Sequence, residues 1–183
     1  MSGLSGMFQL VAAVIAVSGV AKAVSPDGFV SLCRTLRIPM SRRAGRVVGA
    51  CELALGCWAV VVGGAPAGYV VAFAYVVFAA MVMLARRSGA ASCGCFGSVS
   101  APPGLLHAVV DLASAAVAVL AVATGNAAAL PDTLRGQPAW GIPYLVALVT
   151  GLALVIAIDT VGAEVASAVG LHARAGHGAA VSS

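Results

Sequence analysis

The sequence predicts an all-α polytopic membrane protein, a transmembrane helical bundle of four core helices with a fifth transmembrane helix towards the C-terminus. Three observations carry this. Of the 183 residues, 61% are hydrophobic and only 9% charged, where soluble domains carry about 25% charged residues. The mean hydropathy is +1.06, so the chain has too little polar surface to face water. The apolar residues also gather into five runs, at about Met7–Val24, Ala44–Val62, Ala67–Ala85, Gly104–Thr124 and Ile142–Ile158. Each is near the length a helix needs to cross about 30 Å of hydrocarbon, and only a helix satisfies its own backbone polar groups there.

The first run is followed by Ala21-Lys22-Ala23, which resembles a signal-peptidase site. No Lys or Arg precedes the run, so the basic start of a signal peptide is missing and the run reads as a retained helix. Pro26 and Pro39 mark the loop that follows. The second run carries Gly45 and Gly49, a small-residue step that allows close helix packing. It also carries Cys51 and Cys57, which are six residues apart and so about 240° around the helix axis. They cannot pair with each other and read as small packing residues, with Cys51 a weaker candidate for a third thiol. Cys33 in the first loop lies on the correct side for that role.

Gly63-Gly64-Ala65-Pro66 separates the second and third runs, and Pro102-Pro103 closes the loop before the fourth. The fourth run opens with His107 and Asp111, four apart and hence on one helical face. Asn126 to Pro143 forms a Pro-containing loop before the fifth run. The tail, with His172 and His177, is small and polar and reads as disordered. The expected organisation is a four-helix domain over 1–125, a loop and fifth helix over 126–170, and a tail over 171–183.

Charge suggests an orientation. Lys22, Arg34, Arg37, Arg42, Arg43, Arg46, Arg86, Arg87 and Arg174 fall on one side of a five-pass chain, and Arg135 alone on the other. By the positive-inside rule the side with nine is cytoplasmic. The basic residues therefore belong to membrane boundaries, and a pI near 9.0 does not point to nucleic acid. The same topology brings Lys22, Glu52, His107 and Asp111 to the side of the third loop. A carboxylate in lipid costs about 2.5–3.5 kcal/mol on insertion scales, so Glu52 and Asp111 are expected to face the bundle interior and find partners. One reading is a structural Lys22–Glu52 pair. The other is that Glu52, His107 and Asp111 take up protons during thiol chemistry.

That chemistry is suggested by the third loop, Ser92-Cys93-Gly94-Cys95-Phe96-Gly97-Ser98. A Cys-x-Cys disulfide closes a small, strained ring that is easily reduced. Gly94 and Gly97 relax the backbone there, and Arg86 and Arg87 are near enough in sequence to favour the reactive thiolate. Thiol–disulfide exchange with a partner is the leading reading; the sequence assigns no cofactor, and a membrane quinone is the one candidate. A rival is a soft-metal site, since two thiolates at this spacing can hold Cu(I). A closed zinc site would need two further ligands, which the sequence offers only scattered. A non-enzymatic assembly factor is the third reading.

The chain resembles the MauE family of methylamine-utilisation membrane proteins, within the wider DoxX-like group. The resemblance covers roughly Val17 to Leu120. It rests on Ser18-Gly19-Val20-Ala21-Lys22, Pro26-Asp27-Gly28-Phe29, Glu52-Leu53-Ala54-Leu55-Gly56 and Cys93-Gly94-Cys95-Phe96-Gly97, in this order. It implies a helical bundle with a redox-associated role, working beside a thioredoxin-like partner in maturing a disulfide-rich methylamine dehydrogenase subunit. Carried over, it points to Lys22, Glu52, Cys93 and Cys95. Family members often have a basic–polar pair where this chain has Val110-Asp111. Their thioredoxin-like partner works outside the cytoplasm, whereas charge here places the thiols inside.

Overall fold

In the computed structural model, which describes residues 3–90, 104–136 and 140–157, the first apolar run becomes α1 (Gly3–Val24) and the second α3 (Arg42–Val61). The third becomes α4 (Gly64–Arg87), the fourth α5 (Leu105–Ala123) and the fifth α7 (Gly141–Ala157). Among the described residues, α1, α3, α4 and α5 are long and apolar enough to cross a membrane, and α7 is a shorter apolar helix of 17 residues. The all-α polytopic bundle expected from composition is the architecture observed.

Two short helices replace what reads as plain loop. α2 (Asp27–Thr35) fills the first connection and α6 (Leu130–Arg135) the fourth. Both carry the ordinary end signals. Each has an acidic residue in its first turn and a basic one in its last, Asp27 and Arg34 in α2 and Asp132 and Arg135 in α6, which suits the helix dipole. α2 buries Val30, Leu32 and Cys33 against the bundle. It ends with Ile38 N–H donating to Cys33 O at 2.8 Å and Arg37 N–H to Arg34 O at 3.0 Å, a Schellman closure with Arg37 at φ 59°, where glycine is the usual residue. α4 begins earlier than its apolar run because Pro66 is tolerated in a first turn, where its missing N–H costs nothing.

α1 is the central helix. It packs along α3 and also touches α2, α5 and α7, while α4 pairs with α5. Both long pairs are antiparallel. In the first, Gly49 lies against Gly19, Lys22 and Ala23, and Gly56 against Ala12 and Ala16. In the second, Gly68 lies against Val122 and Ala118 at one end, and Val82 packs with Ala108 at the other. The α1–α3 contact is backbone on backbone. A Cβ on Gly49 would sit 2.5 Å from Ala23 N and 2.7 Å from Gly19 O, and one on Gly56 would sit 2.5 Å from Ala16 N. The Gly45–Gly49 step thus divides its duties. Gly49 makes the α1 contact, together with Gly56 a heptad away, whereas Gly45 seats Pro26 and Val30 beside α2.

Cys51 and Cys57 do not pack in the bundle. Both are exposed, because the face of α3 at Gly45, Gly49, Glu52 and Gly56 is the one turned inward and they lie on other sides of the helix. The core proper is built from Phe8, Ile15, Val71, Tyr75 and a set of alanines. Tyr75 OH donates to Val11 O at 2.8 Å, so α4 is tied to α1 by a buried hydrogen bond. The Cys93–Cys95 loop and the tail from 158 onward lie outside the described residues.

Candidate functional site

The inward face of α3 explains how a carboxylate enters the bundle. Glu52 lies between Gly49 and Gly56, at the spacing of one continuous helical stripe. The glycines let the backbones of α1 and α3 approach, and Glu52 is carried against α1. There its Oε2 accepts from Lys22 Nζ at 2.6 Å and from Ser18 Oγ at 3.3 Å. Lys22 Nζ also donates to Ser18 Oγ at 2.9 Å, one turn back along α1.

The ammonium is enclosed. Lys22 is 2% exposed, and its Nζ lies 5.0 Å from the centre of the Phe78 ring and 5.7 Å from that of Phe29. Ring faces attract a cation, and more so where water is excluded. A buried charge of this kind needs both its counter-ion and its hydrogen bonds, and Glu52, Ser18 and the two rings supply them from α1, α2, α3 and α4. Beside the pair is a cavity of about 110 Å³, bordered by Phe29 and Phe78 and by Val48, Val77 and Met81.

His107 and Asp111 are both buried. They face one side of α5, with His107 Nε2 4.0 Å from Asp111 Oδ2. They border a second cavity of about 20 Å³ together with Ser18, Tyr75 and Ser114, room for a single water. Phe78 borders both cavities. Ser18 therefore holds the Lys22–Glu52 pair with its hydroxyl and borders the His107–Asp111 cavity, and the four sequence-nominated polar residues converge on one region between α1, α3, α4 and α5. Cys93 and Cys95 lie outside the described residues. Their flanks, Ala90 after α4 and Gly104 before α5, are at this same end of the bundle.

Cys33 is buried in α2, and that burial pushes its thiol pKa up. It is therefore less able to form a thiolate than a solvated cysteine. Nearby, Arg42 holds Asp27 through two parallel hydrogen bonds, 2.5 Å to Oδ1 and 2.7 Å to Oδ2. This clamps the start of α3 to the start of α2 at the surface. Among the described residues no three of His, Cys, Asp and Glu group as metal ligands.

Sequence reasoning missed a second polar cluster near the opposite end of α1. Gln9 is fully buried. Its Nε2 donates to Ala128 O at 3.0 Å and to Thr133 Oγ1 at 2.8 Å, and its Oε1 accepts from Tyr144 OH at 2.5 Å. One amide thereby ties α1 to the segment before α6, to α6 and to α7. The available signal was a lone amide in the middle of an apolar run, which in lipid must find partners.

Neither the curated proteins nor the solved structures contain a significant match to this chain. A family model does match, that of methylamine utilisation protein MauE, over residues 4–126. That span takes in α1 to α5, and with them Lys22, Glu52, His107, Asp111 and the Cys93–Cys95 run. By this match, which covers more than half of its residues, the chain belongs to the MauE family of membrane proteins.

Proposed function

We propose that this protein is a membrane thiol–disulfide exchange component, with Cys93 and Cys95 trading reducing equivalents with a thioredoxin-like protein in support of methylamine utilisation. The observation that carries the reading is the Cys-Gly-Cys run itself, set between two helices whose adjoining ends lie beside a buried polar cluster. The other cysteines are poor candidates, since Cys33 is buried and Cys51 and Cys57 sit on the outer faces of a membrane helix.

A thiolate on one cysteine attacks the partner's disulfide, forming a mixed disulfide and expelling one partner thiolate. The second cysteine then attacks its neighbour's sulfur, closing the Cys93–Cys95 disulfide and releasing the second partner thiolate. The pair loses two electrons and two protons, and the partner gains both. Glu52, His107 and Asp111 are the groups proposed to take up or return those protons. The client is a protein with disulfides to be made or corrected, and the nine-to-one charge split favours a cytoplasmic loop.

Alkylation of membranes at defined redox potentials, followed by mass spectrometry, tests the reading. A reversible Cys93–Cys95 disulfide is expected. Two thiols that stay free at every potential would overturn it, and stoichiometric Cu(I) binding without exchange would favour a metal role. Impermeant thiol reagents on intact cells should miss both cysteines; labelling from outside would reverse the orientation.

A further inference from the structure

The end of the bundle at which α1 finishes carries a surplus of positive charge. Arg34, Arg37, Arg43, Arg46, Arg86 and Arg87 are all exposed there, and their guanidiniums make no hydrogen bond or ion pair among the described residues. We infer that this end is a docking surface for anionic phospholipid headgroups, centred on the corner between α2 and α3. The inference rests on charge and placement. It holds whatever the thiol loop does and whichever leaflet this end faces.

Charge balance calls for an outside partner. The chain has six acidic residues. Asp27 is held by Arg42, Glu52 by Lys22 and Asp132 by Arg135, and Asp111 is buried beside His107. Asp159 and Glu164 are left, too few for these arginines. Local structure does not favour the charges either. Arg43 and Arg46 lie near the start of α3, the positive end of its dipole, where cations are disfavoured. Arg37 sits at φ 59°, the only non-glycine at positive φ among the described residues, in a region that strains an L side chain and suits glycine. What stabilises guanidiniums at such positions lies outside the chain.

Placement identifies that partner. Val47, one turn inward from Arg43, is 62% exposed, and Leu84, one turn inward from Arg87, is 49% exposed. On helices long and apolar enough to cross a membrane, those side chains face acyl chains, so the arginines one turn further out stand at the depth of the headgroups. α2 makes the corner rigid. It buries Val30, Leu32 and Cys33, Gly45 of α3 seats Pro26 and Val30, and the Arg42–Asp27 pair ties the starts of the two helices. Arg34 and Arg37 are thus held in fixed relation to Arg43 and Arg46. A planar guanidinium matches the oxygens of a phosphate. A cluster of about four or more basic side chains beside a membrane helix selects anionic lipids, because a zwitterionic headgroup brings no net charge.

The test uses the full-length protein in neutral detergent, titrated with phosphatidylglycerol or phosphatidylcholine carrying the same fluorescent tail. Phosphatidylglycerol should bind saturably and at least about tenfold more tightly, with an affinity that falls as salt rises. Arg37→Gly should weaken its binding about fivefold while leaving the melting temperature no lower than the parent's, since glycine relieves the positive φ. Arg43→Gln with Arg46→Gln should weaken it at least about tenfold, which keeps the test decisive if Arg37→Gly does not fold. Arg135→Gln, at the opposite end, should change nothing. Cys93→Ser with Cys95→Ser should also bind as the parent does, so lipid binding is read apart from thiol exchange. Equal affinity for the two lipids, or selectivity that survives both sets of arginine variants, would overturn the proposal. So would competition by glycerol 3-phosphate, in favour of a soluble phosphate ligand. A gain of about tenfold for Asp159→Asn with Glu164→Gln would also overturn it, in favour of the chain's own acids as the occupant.

Discussion

Lys22 Nζ lies 2.6 Å from Glu52 Oε2, although the two residues start from different depths. The Lys22 backbone lies against Gly49, three residues, or about 4.5 Å, before Glu52 on α3. The antiparallel arrangement closes the gap. Each Cα–Cβ bond tilts towards the N-terminus of its own helix, so the Lys22 side chain points inward along α1 and that of Glu52 points back towards the end where Lys22 enters. Phe78 and Phe29 then cover the ammonium.

This geometry makes the pair non-additive. Lys22→Met or Glu52→Gln alone should destabilise the protein by about 3–5 kcal/mol, because the partner is left as an uncompensated buried charge. The double variant should lose less than the sum, and less than the worse single variant. Thermal unfolding of all three in detergent measures it. Additive losses would show that the contact has no energetic content.

The α1–α3 seam should be intolerant of a single methyl group. Gly49→Ala and Gly56→Ala push a Cβ into backbone atoms that cannot rotate away, and each should cost about 1–3 kcal/mol. Gly45→Ala should cost less, because its neighbours Pro26 Cβ at 3.1 Å and Val30 Cγ2 at 3.2 Å are side-chain atoms near α2 that can shift. Gly104→Ala meets nothing within 4 Å and should stay within about 0.5 kcal/mol of the parent. The ranking is read from denaturation midpoints.

Gln9→Leu should loosen one end of the bundle selectively. It removes three hydrogen bonds and strands Thr133 and Tyr144 groups that Gln9 satisfied, at about 1–3 kcal/mol for each buried group left unmatched. Hydrogen exchange should accelerate across α6 and α7 while α3 and its pairing with α1 stay protected. Tyr144→Phe should show the same pattern more weakly. Uniform acceleration across all helices would contradict the clamp.

Cys33 should be a slow thiol with a displaced pH response. Burial raises its pKa, so at any pH below that value it carries less thiolate than a solvated cysteine, and thiolate is the reacting form. In a variant retaining only Cys33, the alkylation rate of the folded protein should still be climbing with pH where that of the denatured protein has levelled off. Coincident pH profiles would mean that α2 does not bury the thiol.

Hydropathy alone determined the class of this protein, because a chain with 9% charged residues cannot clothe a water-facing surface and must form helices in lipid. The apolar runs marked the helices to within a few residues, and the side on which Lys22, Glu52, His107 and Asp111 meet followed from counting crossings. The short helices α2 and α6 were readable only from their end signals, and the glycine step at Gly45 and Gly49 did not disclose that its two members serve different neighbours. Tertiary structure decided what periodicity cannot carry. Contacts between residues far apart in the chain depend on which helical faces meet, as with Gln9 reaching Thr133 and Tyr144, or Ser18 joining Glu52 to the cavity beside His107. So do the spaces left between helices, such as the cavity beside Lys22, because a void is set by the several elements that surround it.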